Sequence, residues 1–396
     1  MFVKLPRTSL DHSFLLLFCG RRREYQVGQP HPQRASKSWL RRHTGIGGYD
    51  DCTKSEGMVA MSIATATELS GEERLIARYF RPLAKHPGAF GLLDDAAAIV
   101  PPAGCDLVLK TDGLIGGVHF FPDDPAEAVA KKALRVNLSD LAAKGARPIG
   151  FLLALALPQE IGPAWLEPFA RGLGEDAEFF EFPLLGGDTD RTPGPITISI
   201  AALGAVFHGK MIRRSGARPG DRVVVTGTIG DAALGLLLRR DPTTAERWGL
   251  KRGYQDYLKA RYLIPQPRNA VVDALRTYAT AAMDVSDGLV GDLAKLCRAS
   301  GVAAEIDVES VPLSDAARAA RAGEPALVET ILTGGDDYEV IATLPAGAVQ
   351  EFRRAASAAH VAVTEIGKVV AGQGAARFLD RGGKMLSFTR PSFSHF

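Results

Sequence analysis

Apolar residues recur at helical spacing along residues 131–148, KKALRVNLSDLAAKGARP. Ala133, Leu134, Leu138, Leu141 and Ala142 fall on one stripe, which predicts an amphipathic helix with a single buried face. Lys144, Gly145 and Pro148 supply its stop signals. Inside the run lies a polar cluster, Asn137-Leu138-Ser139-Asp140. Taken alone, the cluster reads equally well as a solvated face or as a carboxylate aimed at a partner. The positions of the other aspartates decide between them.

The pattern on either side alternates strands with helices. Residues 72–83 predict a short amphipathic helix capped by Ser70. Strands are expected at 106–111, ending at Asp112-Gly113, and at 150–157, whose apolar run 151–157 reads as a buried strand. A helix is expected at 165–180, then Leu184-Leu185 ending at Gly186-Gly187-Asp188-Thr189, then a β-branched strand at 196–206. Ser215-Gly216-Ala217-Arg218-Pro219-Gly220-Asp221 reads as a turn-rich joint. Beyond it come a strand at 222–226, helices at 231–240 and up to 278, a strand at 281–285, a helix at 289–300, and strands at 306–308 and 340–344. This order gives an α/β or α+β protein of two units, taken as 66–208 and 209–396. Residues 1–65 show no sustained period and gather Arg21-Arg22-Arg23 and Arg41-Arg42 with His and Pro. They read as a disordered leader or an overlong start, with the functional chain beginning at Met58 or Met61.

Composition narrows the function classes. The net charge is +2, but residues 1–60 carry ten Lys/Arg against five Asp/Glu, so the folded remainder is mildly acidic. A nucleic-acid surface would need its cations on the folded part. The longest apolar run falls far short of the roughly 20 residues of a spanning helix. Four scattered cysteines, Cys19, Cys52, Cys105 and Cys297, give neither a zinc spacing nor a disulfide framework, and a reducing cytoplasm is expected. Two phosphate-loop look-alikes fail. Gly204–Met211 has Met211 where a hydroxyl should bind the metal, and the turn Gly227–Gly230 lacks the dinucleotide fingerprint.

The aspartates carry the chemical signal. Asp94, Asp95, Asp112, Asp140, Asp188, Asp284 and Asp287 lie beside Gly, Ser or Thr at expected strand or helix ends. Hard oxygen donors without supporting His or Cys select Mg²⁺ or Ca²⁺, and carboxylates brought together need cations among them. A turn-capping role explains any one of these aspartates; it explains the set less well.

Together the blocks DDAA (94–97), TDGLIGGVHF (111–120), KALRVNLSDLAAKGARP (132–148), GGDTDR (186–191), RRSGARPGD (213–221), VTGTIGDAALGL (225–236), MDVSDGL (283–289), LTGGDDYE (332–339) and the closing SHF resemble the thiamine-monophosphate kinases. These belong to an ATP-binding superfamily that includes aminoimidazole ribonucleotide synthetase. The resemblance runs from about residue 72 to the C-terminus. It implies a two-domain fold, with an N-terminal mixed sheet that pairs in a homodimer and a C-terminal α/β domain. It also implies transfer of the γ-phosphoryl group of ATP to thiamine monophosphate with several Mg²⁺ ions. By motif, Asp95, Thr111, Asp112, Asp140, Asp188, Asp284 and Asp287 look like the metal cage. Gly187, Asp188, Arg214 and Ser286 would meet ATP, and His119, Asp336 and Phe393 would line the thiamine side. Three departures stand out: Leu92-Leu93 before Asp94-Asp95, which implies a stiffer or displaced loop; Lys110 where a hydroxyl usually adds a metal oxygen; and Asp336 for a usual Glu. Lys110 and Leu93 motivate the alternative of an inactive nucleotide-binding scaffold. Another superfamily synthetase forming a different activated phosphate is the second alternative.

Overall fold

The computed structural model describes residues 69–393. The leader, its Cys19 and Cys52, the start sites Met58 and Met61, and the closing Ser394–Phe396 lie outside the described residues. The described residues belong to one compact unit containing two sheets.

The first sheet has four strands: β1 (Cys105–Ile115), β2 (Arg147–Leu157), β3 (Leu184–Arg191) and β4 (Thr197–Phe207), in the order β1-β4-β2-β3. β4 runs antiparallel to β1 and β2, whereas β2 and β3 are parallel. A parallel pair needs a crossover, and the helix Pro163–Phe179 supplies it. That helix and the helix Ala126–Ala143 cover one face of the sheet with Leu134, Leu138, Leu141, Phe169 and Leu173 against Phe151, Leu155 and Ile200.

The other face is open. The apolar run of β2 predicts burial throughout, yet the strand alternates, and Leu152 is 40% exposed. The cause is that helices pack on one side only. Leu107 and Leu109 of β1 share this open face, Leu109 being 72% exposed.

Two further boundaries differ from the sequence reading. Asp112-Gly113 and Gly186-Gly187-Asp188 lie inside β1 and β3 rather than at their ends. β4 is long enough to pair residue by residue with β1 through Ile115, so Gly113 stays in the ladder opposite Ser199. The N-terminal helix also changes character. Ser70 caps it in a capping box with Glu73, but the α-helical turn ends at Leu75 and continues as a π turn and a 3₁₀ turn to Leu83. Pro82 has no N–H to give to the carbonyl four residues earlier.

The second sheet has six strands: β5 (Arg222–Thr226), β6 (Ala281–Val285), β7 (Ala303–Asp307), β8 (Glu339–Leu344), β9 (Val363–Val370) and β10 (Ala376–Leu379), in the order β10-β7-β9-β5-β8-β6. Helices lie on both faces. Leu234, Leu289 and Leu293 pack on one side, Leu275 and Phe352 on the other. This explains why β6 and β8 are buried at every position, the polar Asp284, Glu339 and Thr343 included. Gly230 opens the helix Asp231–Arg240 with φ 88°, a left-handed turn that suits glycine. Its N–H donates to the buried Asp337 carboxylate. Gly227–Gly230 is therefore a helix-opening turn.

Candidate active site

The helix Ala126–Ala143 joins the two sheets. Fourteen of its eighteen residues are buried, and its polar cluster is part of the buried surface. Asn137 accepts the Asp112 N–H of β1 at 3.0 Å and donates to the Ala133 carbonyl. Ser139 donates to Asp284 of β6 at 3.0 Å. Asp140 therefore looks out from a helix clamped on both sides. The solvated-face reading of this cluster is excluded.

Lys110 and Asp112 are two residues apart on β1 and so share a face. The Lys110 ammonium bridges Asp112 Oδ1 at 3.0 Å and Asp140 Oδ2 at 2.9 Å. Burial disfavours its charge, but the Asp140 and Asp112 carboxylates outweigh this and hold its pKa above the ordinary lysine value. Partial burial raises the pKa of Asp112, with Asp140 adding to the rise against the pull of Lys110. The two shifts pull in opposite senses for one contact. The geometry decides: two acids share one ammonium, so one negative charge is left over. Asp284 is fully buried, and burial, then Asp140 and Asp292, push its pKa well up. Lys144 sits behind it, donating to the Ala282 carbonyl at 2.8 Å, and burial lowers its pKa to about 8.

A cavity of about 990 Å³ opens over this cluster. Of the candidate residues it collects Asp112, Asp140, Asp284, Asp287, Arg214, Ser286, His119, Asp336 and Phe393. The loop carrying Ser286 and Asp287 is held by Asp292, which accepts both backbone N–H groups at 3.0 and 2.9 Å. Lys295 bridges Asp287 and Asp292. Phe393 donates its N–H to the Asp287 carbonyl, and Gly291 admits the tail, since a Cβ there would stand 2.3 Å from Ser392 Cβ.

Beside that loop Asp336, whose N–H donates to the Ser286 carbonyl at 2.8 Å, stands at φ 72° and takes an ion pair from the buried Lys132 at 3.0 Å. Lys132 also donates to the His119 carbonyl and lies 3.9 Å from the centre of the Tyr262 ring. The His119 ring accepts the Ile115 N–H at 3.0 Å. Lys132 and Tyr262 escape the sequence reading. For Lys132 a signal exists, because positions 132, 136 and 140 are successive i+4 neighbours on one helical stripe.

The remaining candidates lie elsewhere. Asp95, Gly187 and Asp188 line a second pocket of about 670 Å³, together with Leu152 and Ser199 of the open sheet face. The Thr111 hydroxyl, odd-numbered on β1, stands 3.4 Å from Ser199 Oγ on that same face. The sheet thus separates Asp95, Thr111 and Asp188 from Asp112, Asp140 and Asp284. Leu93 has φ −109°, so no glycine conformation is demanded there; the left-handed backbone falls on Phe90, Gly91 and Leu92.

Among the described residues, no three His, Cys, Asp or Glu side chains are grouped to hold a metal ion. The donor chemistry at Asp112, Asp140 and Asp284 nevertheless fits a hard divalent cation: oxygen ligands only, from three elements, with negative charge left over.

Residues 93–206 match the family described as AIR synthase related protein, N-terminal domain, and residues 218–380 match the corresponding C-terminal domain. The thiamine-monophosphate kinase of Caulobacter vibrioides is 44% identical over 307 residues, covering 76% of this chain and 85% of that protein.

The chain belongs to the thiamine-monophosphate kinase family.

The family member from Escherichia coli K12 is 43% identical over 279 residues, 69% of this chain and 83% of its own. The crystal structure of thiamine-monophosphate kinase from Stenotrophomonas maltophilia K279a superposes with a TM-score of 0.69 at 38% identity, covering 79% of this chain and 96% of that one. AaThiL complexed with AMPPCP and TMP superposes with a TM-score of 0.64 at 33% identity, covering 78% and 97%. The hydrogenase maturation protein HypE in complex with ATP, at 21% identity and a TM-score of 0.66, shares the fold alone. Membership of the kinase family accords with the two-sheet α/β architecture. Among the described residues, no helix is long and apolar enough to cross a membrane.

Proposed function

We propose that this chain transfers the γ-phosphoryl group of ATP to thiamine monophosphate, giving thiamine diphosphate. The observation that carries the reading is the cavity over Asp112, Asp140 and Asp284. Its lining also includes Arg214, Ser286, His119 and Asp336. Family membership supplies the substrates; the cavity supplies a place for both.

The acceptor is itself a phosphate, so the reaction needs no strong base. Positioning and neutralisation of charge carry the rate. Asp112, Asp140 and Asp284 would hold Mg²⁺, with Asp287 at the rim; Asp95, Thr111 and Asp188 are kept as further candidates on the open face. Held there, Mg²⁺ would supply positive charge to offset that of the phosphates. Arg214 and the loop at Ser286 would take the ATP side, with Gly187-Asp188 as candidates for nucleotide contact. Asp336, fixed by Lys132, would face the cationic thiazolium beside His119, and Phe393 would offer the positive ring an aromatic face.

The boundaries 66–208 and 209–396 belong to this reading, supported by β4 ending at Phe207 and β5 starting at Arg222. A homodimer joined through the open face of the first sheet is part of the same reading: β2 carries an unbroken apolar run, as strands covered on both faces do, and Leu107, Leu109 and Leu152 are exposed on it. The free Cys105 and Cys297 suit a cytoplasmic setting.

The test is purified protein with ATP, Mg²⁺ and thiamine monophosphate, following thiamine diphosphate. Tight ATP binding without product, beside a working control enzyme, identifies the scaffold alternative instead. Asp140→Asn is expected to lower turnover at least a hundredfold, on the order of one lost electrostatic group, with an unchanged circular dichroism spectrum. A near-normal rate removes Asp140 from the site.

A further inference from the structure

Lys110 is the one cation in contact with the carboxylates of Asp112 and Asp140 among the described residues. Its place is fixed by the sheet, since Lys110 and Asp112 sit opposite Ala202 and Ile200 in an unbroken β1–β4 register. The helix Ala126–Ala143 brings Asp140 to the same ammonium, and the Asn137 contact to the Asp112 N–H locks helix to strand at that level. The side chains of Lys110, Asp140 and Asp112 are 30%, 13% and 37% exposed, and all three line the cavity, so the bridge forms part of its wall. Lys144, the other nearby amine, turns to the Ala282 carbonyl. Arg214 also lines the cavity.

We propose that Lys110 is a tethered internal cation: it occupies the position between Asp112 and Asp140 that a divalent ion would otherwise take, so that the loaded site holds one ion fewer. The inference rests on the reading of this cavity as a Mg²⁺-nucleotide site. An ammonium on the chain does not have to be drawn from solution, because folding already places it. It brings a single positive charge and no coordination of phosphate oxygens, so it offsets one of the two carboxylate charges and leaves Asp112 Oδ2 and Asp140 Oδ1 to the remaining ions. Two consequences follow. The helix-to-strand junction holds together without metal, and the apparent metal requirement belongs to the remaining ions alone.

The experiment counts ions without turnover. Mn²⁺ binding is measured by electron paramagnetic resonance in the presence of a non-hydrolysable ATP analogue, for the wild-type chain and for Lys110→Ser and Lys110→Arg. Lys110→Ser is expected to bind one more Mn²⁺ per chain than wild type, and Lys110→Arg the wild-type number. Without nucleotide, the melting temperature of Lys110→Ser is expected to rise with Mn²⁺ more steeply than that of wild type. Lys110→Thr gives the same readout should the serine variant fail to fold. Equal ion counts in wild type and the hydroxyl variants overturn the proposal. Failure of the kinase reading shows separately, as absence of thiamine diphosphate from the wild-type chain.

Discussion

Glu339 lies at the start of β8 with no exposed surface, and its carboxylate takes four hydrogen bonds. Oε1 accepts from Arg261 Nη2 at 3.0 Å and from Arg268 Nη2, and Oε2 accepts from Arg268 Nε at 2.5 Å and from Thr226 Oγ1 at 2.7 Å. Glu339→Gln keeps the volume and removes the charge. The amide has one acceptor oxygen, so its NH₂ must face a guanidinium donor, and two arginines are left without an anion. Breaking a buried pair from one side costs about 3–5 kcal/mol, and each bond to a charged group contributes about 1.5–3 kcal/mol before such a loss. A destabilisation of about 3–5 kcal/mol is expected on that basis, read from urea unfolding by circular dichroism. Adding Arg268→Met to the variant should return part of it, because one unpaired cation is then gone. A loss under about 1 kcal/mol for Glu339→Gln, well below the cost of stranding a buried charge, would refute the claim that this cluster is held by charge.

Two more outcomes follow from groups near the site. Burial holds the pKa of Lys144 down to about 8 in the folded chain, below its ordinary 10.5; between these values the unfolded chain binds the extra proton. Stability should therefore rise with pH across that window, by up to about 1.4 kcal/mol per pH unit, relative to a Lys144→Met variant; parallel curves for the two proteins would count against it. At Gly187 a Cβ would stand 1.8 Å from the Leu153 carbonyl oxygen, a backbone atom that cannot move without breaking the β2–β3 pairing. Gly187→Ala should cost on the order of 1–3 kcal/mol, the usual cost of overpacking, and a melting temperature equal to wild type would show that β3 has room.

Much of the fold is legible in the sequence because period and punctuation agree. The helix stops at Lys144 and Gly145 as the sequence signals require, and strand 222–226 and helix 231–240 match residue for residue. Asp112 is misplaced by the sequence reading for a physical reason: Asp-Gly is a turn signal only when no neighbour continues the ladder, and β4 does. The strands Val363–Val370 and Ala376–Leu379 escape it because charged Glu365, Lys368 and Arg377 interrupt their apolar positions. At the site, Asp140 is legible from its odd place in an apolar stripe. The pairing of Lys132 with Asp336 is not, because 204 residues separate them. The separation of Asp95 and Asp188 from Asp140 depends on which face of the first sheet each is brought to, which no motif encodes.

The helix Ala126–Ala143 belongs by sequence to the first unit, yet its far end packs in the core of the second through Ala143, beside Ile212, Ala282 and Leu344. Arg135 donates to the Pro265 carbonyl, and the Leu138 carbonyl accepts from Asn269. The chain cut between β4 and β5 would therefore not give two autonomous folding units. Each half would carry away one side of a shared buried surface, leaving Asp284 without Ser139 and Lys144 without Ala282. The floor of the proposed site and the seam between the sheets share the same contacts, so a lesion that loosens the seam is expected to disturb both.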